Sequence, residues 1–154
     1  MSSFFRLLRS SSKIRTTRYR FGPSVAFAAY AHPLVQSWLL LFRLELIMQF
    51  RRSTVLRKVV RCQPIISQRR QRPLTSTELC HAIDVACVLY FKKVHCLQRS
   101  AAASILLRQH GFASEMITGA QIFPYEFHAW VEIDGAIVND KPYMHEIYQV
   151  LERC

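Results

Sequence analysis

Three residue types in this sequence stand where thiol chemistry needs them. Cys96 opens the stretch "CLQRSAAASILLRQHG", His128 opens "HAWVEIDGAIVND", and Asn139-Asp140 closes it. A cysteine in the first turn of a helix meets free backbone N–H groups and the positive end of the helix dipole, which favour thiolate over thiol. A thiol nucleophile also works best with an imidazole that takes its proton, and that imidazole needs a third group to fix its tautomer. Taken alone, Cys96 is more often a buried filler than a nucleophile. The set Cys96, His128 and Asp140 points to nucleophilic catalysis.

Whether His128 meets Asp140 depends on the Asp134-Gly135 turn between two short apolar strands. A two-residue loop pairs Ile133 with Ala136, places Asp140 opposite Ala129 and facing away from the imidazole, and puts Asn139 on the face of His128. A three-residue loop, Ile133-Asp134-Gly135, sets Asp140 directly across from His128. Either register leaves a polar orienter in reach, because an amide holds an imidazole as a carboxylate does.

Other titratable residues make weaker candidates. His95 adjoins Cys96, but neighbouring side chains at a helix start face apart. His32, His81, His110 and His145 lack partner patterns and read as surface or packed histidines. Glu126 and Glu132 are expected to be exposed carboxylates, although a cleft has use for either. Trp130 projects on the His128 face, to wall the site or to pack in the core. Cys80, Asp84 and Cys87 share a helix face without a matching ligand pair, so packed thiols are expected there and no metal.

The elements that must position these residues follow from pattern. Residues 1–24 are rich in Ser and Arg and read as a basic, mobile tail. Residues 25–73 form a helical region, with a mostly buried helix over Leu34–Phe50 that Pro33 opens, a short basic helix in "STVLRKVVRC", and an arginine-rich linker between Pro64 and Pro73. Residues 74–154 form the core that carries the chemistry, and 25–154 is one structural domain. Thr75 and Glu78 make a capping box, with Leu79, Ile83, Ala86 and Tyr90 recurring on one helix face. The next helix begins close to Cys96 and stops at Gly111. A strand in "FASEMITGA", the hairpin and an amphipathic segment, "YMHEIYQVLERC", complete the chain.

Composition bounds the rest. At 154 residues, 51% of them hydrophobic, the chain is long enough for one domain with a real core. Residues 1–73 hold 15 of the 21 Lys and Arg against one acid, Glu45, whereas 74–154 hold six bases and nine acids. Such asymmetry suits a contact between the first half and a membrane surface or an acidic partner, or only a solvated basic face. Nucleic acid is disfavoured, because no recognition motif is present and the aromatics are not interleaved with the bases. Five cysteines without a C-x-x-C pair argue for a reducing, cytoplasmic setting. The charge-free run from Phe21 to Phe42 is broken by prolines and polar residues, so a soluble chain is expected.

"CLQRSAAASILLRQHG", a short strand, "FHAWVEIDGAIVND" and a terminal "YQVLER" together resemble the B-type proteins of lasso-peptide biosynthesis, over roughly Thr75 to Arg153. The apolar helix with trailing arginines, Leu34 to Arg52, is loosely similar to that family's amino-terminal region. The resemblance implies an α+β, transglutaminase-like (papain-like) core, with a nucleophile-bearing helix on a small antiparallel sheet preceded by helices. It implies a cysteine peptidase that removes the leader from a ribosomally made precursor peptide. Cys96 is then the nucleophile, His128 the general base and acid, and Asp140 the orienter, which favours the three-residue turn. The implied partners are the precursor, a separate leader-recognition protein (residues 1–73 do not read as a strand-rich recognition module) and an ATP-dependent lactam-forming cyclase. No cofactor is implied. The same triad suits a transglutaminase-like acyl transferase or an amidase. A basic binding module without catalysis is the alternative from another class.

Overall fold

The computed structural model describes residues 23–50, 53–66 and 74–154. The expected tail lies almost wholly outside the described residues, as does the end of the linker, 67–73.

Helix α1 (Pro23–Phe50) starts ten residues before the expected position and runs through Pro33. Alanines at 26, 28, 29 and 31 favour helix ahead of that proline, whose missing N–H removes only one ladder bond. The Ser37 hydroxyl donates to the Pro33 carbonyl at 2.6 Å. The helix is half exposed, where a mostly buried one was expected. Leu40, Leu41 and Leu44 are buried, while Val35, Leu39, Phe42 and Leu46 face outward. The reason is layering: α1 packs on α3 (Ser76–Val88) and α4 (Cys96–Gln109), and no described element covers its other side.

Helix α2 (Ser53–Arg61) sends Leu56 and Val60 into the core and its basic residues outward. Helix α3 opens with the expected capping box. The Glu78 N–H donates to Thr75 Oγ1 at 3.2 Å, and the Thr75 N–H donates to the Glu78 carboxylate at 2.8 Å. Its expected stripe of Leu79, Ile83 and Ala86, continued by Tyr90, is buried. Helix α4 begins at Cys96 and ends ahead of Gly111, which takes the left-handed φ of 91° that favours glycine there. Its small buried residues, Ser100 to Ser104, let it lie close on the sheet.

The sheet is antiparallel, ordered β3-β2-β1-β4, with β1 (Ser114–Gln121), β2 (Glu126–Ile133), β3 (Ala136–Ile137) and β4 (Gln149–Arg153). The terminal amphipathic segment resolves into a single helical turn, α5 (Met144–Ile147), and β4, which pairs with β1. Gly119, the β1 partner of His128, has no room for a side chain. A Cβ there would stand 2.9 Å from the Trp130 ring and 3.0 Å from the Gln149 carbonyl. The architecture is the expected α+β one. No helix among the described residues is long and apolar enough to cross a membrane.

Candidate active site

Alternation along β2 puts His128, Trp130 and Glu132 on one face. Helix α4 packs across β2 and β1, which sets Cys96 at its first turn beside His128. A buried hydrogen-bond chain locks the two elements in place. Ser100 Oγ donates to the Ala129 carbonyl at 2.8 Å and accepts from Asn139 Nδ2 at 3.0 Å, while Asn139 Oδ1 accepts the Val131 N–H at 2.6 Å.

The hairpin corrects the three-residue turn. Ile133 pairs with Ala136, and Asp134 (φ 51°) and Gly135 (φ 78°) form a two-residue loop with both residues left-handed. In an unbroken ladder this register would turn Asp140 away from His128. However, β3 is only two residues long. After Val138 donates to the Val131 carbonyl, the Asn139 side chain takes the next N–H of β2, and the chain leaves the ladder. Asp140 is thereby free to return, and its Oδ2 lies 2.9 Å from His128 Nε2. The polar pair at the strand end has divided tasks: Asn139 (6% exposed) holds the backbone and Asp140 meets the imidazole.

Asp140 engages Nε2, which leaves Nδ1 for the hydrogen bond that couples the Cys96 thiol to the imidazole. That bond is the largest influence on both groups. It holds the Cys96 thiol below its ordinary range against the opposing effect of burial, with help from the charge of His128 and backbone hydrogen bonds at Ala129 and Leu97. The imidazole is pushed up to about 9, first by the bond to Cys96 and then by Asp140, against a burial effect that lowers it. Both directions favour a thiolate–imidazolium pair over the neutral one.

Arg99 is a site residue that sequence reasoning missed. It donates from Nε to Asp84 Oδ1 at 2.8 Å and from Nη2 to the Asn139 carbonyl at 2.7 Å, and its Nη1 lies 3.8 Å from Asp140 Oδ2. It thus ties α3 and α4 to the segment that delivers Asp140. Its position three residues after Cys96 is a usable signal, since such residues share a helix face. Tyr148 was also missed and no local pattern marks it: its ring stacks on His128 with centroids 5.1 Å apart. Trp130 meets both expectations, being fully buried and stacked at 6.4 Å from the same imidazole.

The expectation of an exposed carboxylate fails at Glu132. Glu132 is 1% exposed, and it accepts from Trp130 Nε1 at 2.7 Å and from Arg153 at 2.9 Å. Burial pushes its carboxyl up, but these bonds and the charges of Arg153 and His145 outweigh that and hold it below its usual range. His145, expected as a surface or packed histidine, is exposed and has its Nε2 2.7 Å from Glu132 Oε1. The reason is long-range: α5 and β4 bring His145 and Arg153 to β2. His95 caps α4 with extended backbone and no side-chain capping bond. Burial pushes the Cys80 and Cys87 thiols up to about 11, and the neighbouring Asp84 pairs with Arg99. No group of three or more His, Cys, Asp and Glu among the described residues is placed to hold a metal ion.

The family model of the transglutaminase-like superfamily matches residues 38–153, most of the chain. The chain belongs to the transglutaminase-like superfamily. Within this superfamily member, 59 residues are 30% identical to the microcin J25-processing protein McjB of Escherichia coli, a stretch that covers 38% of this chain and 28% of that protein. No solved structure matches. The match to the superfamily includes α4, the sheet and every residue of the Cys96 site.

Proposed function

We propose that this protein is a cysteine peptidase that removes the leader from a ribosomally made lasso precursor peptide. The observation that carries the chemistry is the line Cys96–His128–Asp140, in which a thiol lowered by an imidazole meets a carboxylate behind that imidazole. Superfamily membership and the partial similarity to a microcin-processing protein support peptide processing.

In this reading the Cys96 thiolate adds to the scissile carbonyl carbon at the leader–core junction. The resulting oxyanion is stabilised by the Cys96 backbone N–H, free at the start of α4. As the tetrahedral intermediate collapses, the C–N bond breaks and the His128 imidazolium gives its proton to the departing amine, the new amino terminus of the core. Neutral His128 then takes a proton from water, whose oxygen attacks the thioester. The C–S bond breaks, the leader carboxylate departs, and the thiolate–imidazolium pair is restored. Asp140 orients His128 and stabilises its charged form throughout. Arg99 acts through Asp140, as a positioning residue.

A separate recognition protein presents the leader, and an ATP-dependent cyclase consumes the freed amine. A cytoplasmic setting suits a nucleophile that must stay reduced, and all five cysteines are free. The test is mass spectrometry of a candidate precursor incubated with the recognition protein and either the parent chain or Cys96→Ala. Cleavage at one junction by the parent alone supports the proposal. Cleavage by both removes Cys96 from the mechanism. A product in which the leader's terminal carbonyl is joined to an amine as an amide, in place of the free carboxylate, favours acyl transfer.

A further inference from the structure

A cleft of about 390 Å³ opens directly beside Cys96 and His128. Its walls are apolar at Leu97, Phe127 and Leu151 and carry one hydroxyl, from Thr118, while Arg57 and Glu152 supply its charged lining. This volume is at the low end for ligand sites, which suits a side chain with a short length of backbone.

The charge around this cleft is unbalanced once Arg61, just outside its lining, is included. Arg57 Nη1 lies 3.0 Å from Glu152 Oε2, and Arg61 Nη2 lies 3.1 Å from Glu152 Oε1. Each carboxylate oxygen is therefore taken by a different guanidinium, and the trio carries one positive charge in excess. Arg57 meets Glu152 with Nη1 nearest, and a guanidinium is a planar fork of five N–H donors suited to a second carboxylate. The side chain of Arg57 is 32% exposed, so it is open to the cleft without being fully solvated. The second cation on the lining is the His128 imidazolium, already committed to Cys96 and Asp140.

We infer that this cleft is a subsite for an acidic side chain of the peptide substrate, seated within a few residues of the scissile bond, with Arg57 as its carboxylate-binding residue. This rests on the peptidase reading above. Glu152, itself held by Arg61, keeps the Arg57 fork in place, the apolar walls hold the aliphatic stem of the guest, and an incoming Lys or Arg side chain is rejected by like charge.

The test uses thiol-reactive epoxysuccinyl peptides extended from either carboxyl of the epoxide, so that residues fall on both sides of the thiol. At each of the three positions nearest the epoxide, Glu, Gln and Lys are compared by the rate at which the adduct on Cys96 forms, read by intact mass and peptide mapping. At one position Glu should react about tenfold faster than Gln, and Lys slowest. Arg57→Gln should flatten that order, Arg57→Glu should invert it, and added salt should shrink it. Equal rates for the three side chains at every position overturn the subsite. So does an acidic preference that Arg57→Glu leaves intact. The wild-type series alone decides the first point if a variant fails to fold. Absence of a Cys96 adduct with every probe is a different failure, which removes the peptidase reading itself.

Discussion

Strand β2 carries two histidine–carboxylate pairs, one on each side of Trp130. His128 meets Asp140 at 2.9 Å, and His145 meets Glu132 at 2.7 Å. Trp130 touches both imidazoles, stacked on His128 and edge-on to His145. Judged by the nitrogen–oxygen separation alone the two are alike. Their surroundings separate them. Glu132 is buried and already holds Trp130 Nε1 and Arg153, so its charge is spent on structure, and no thiol enters the influences on it. Asp140 stands behind an imidazole that is coupled to the thiol at the head of α4. A histidine–carboxylate pair is therefore not a signature of catalysis by itself. The nucleophile on the far side of the ring makes it one.

Substitutions sharpen that contrast, in decreasing order of effect. His128→Ala should cost on the order of 10³-fold or more in precursor cleavage, because it removes both the base and the largest influence holding the thiol down. Asp140→Ala should cost on the order of 10²-fold, read as kcat with KM little changed, since it acts on the imidazole alone. Arg99→Ala should cost about tenfold, with partial recovery in Arg99→Lys, because the salt bridge to Asp84 and the bond to the Asn139 carbonyl fix the segment that delivers Asp140. His145→Ala should leave kcat/KM within about twofold and lower stability by about 1 kcal/mol, measured as a denaturant midpoint, since Glu132 keeps its other partners. A loss of activity in His145→Ala comparable to that in His128→Ala would erase the distinction between the two pairs.

Much of the fold was legible because its signals are local. The capping box at Thr75, the Cys96 helix start and the Gly111 stop each depend on residues within one turn. The two faces of α1 were not legible, because a segment apolar all round does not say which side its neighbours cover. At the site, Cys96, His128 and Asp140 stood out by type, and the structure brings them together. The route differs from the expected one: the hairpin register is the one that should have parted His128 from Asp140, and early termination of β3 at Ile137 undoes it. Strand length is set by Asn139 capping Val131, a contact that alternation alone does not encode. The partners of Arg99, Glu132 and Tyr148 lie far away in sequence, and of the three only Arg99, one helical turn after Cys96, carried a local signal.

The central claim is that Cys96 is a thiolate held by His128, and its alkylation across pH tests that most directly. A thiol held below its ordinary range keeps its reactive form as pH falls, so Cys96 should react with iodoacetamide near neutral pH ahead of exposed Cys62. Cys80 and Cys87, pushed up to about 11, should remain silent. The profile should change again near 9 as His128 loses its proton, and precursor cleavage should decline there for want of the imidazolium acid. In His128→Ala, burial is left to dominate and the neutral-pH reactivity of Cys96 should fall by about tenfold or more. If Cys96 labels no faster than Cys62, or labels equally with and without His128, the pair described here does not exist.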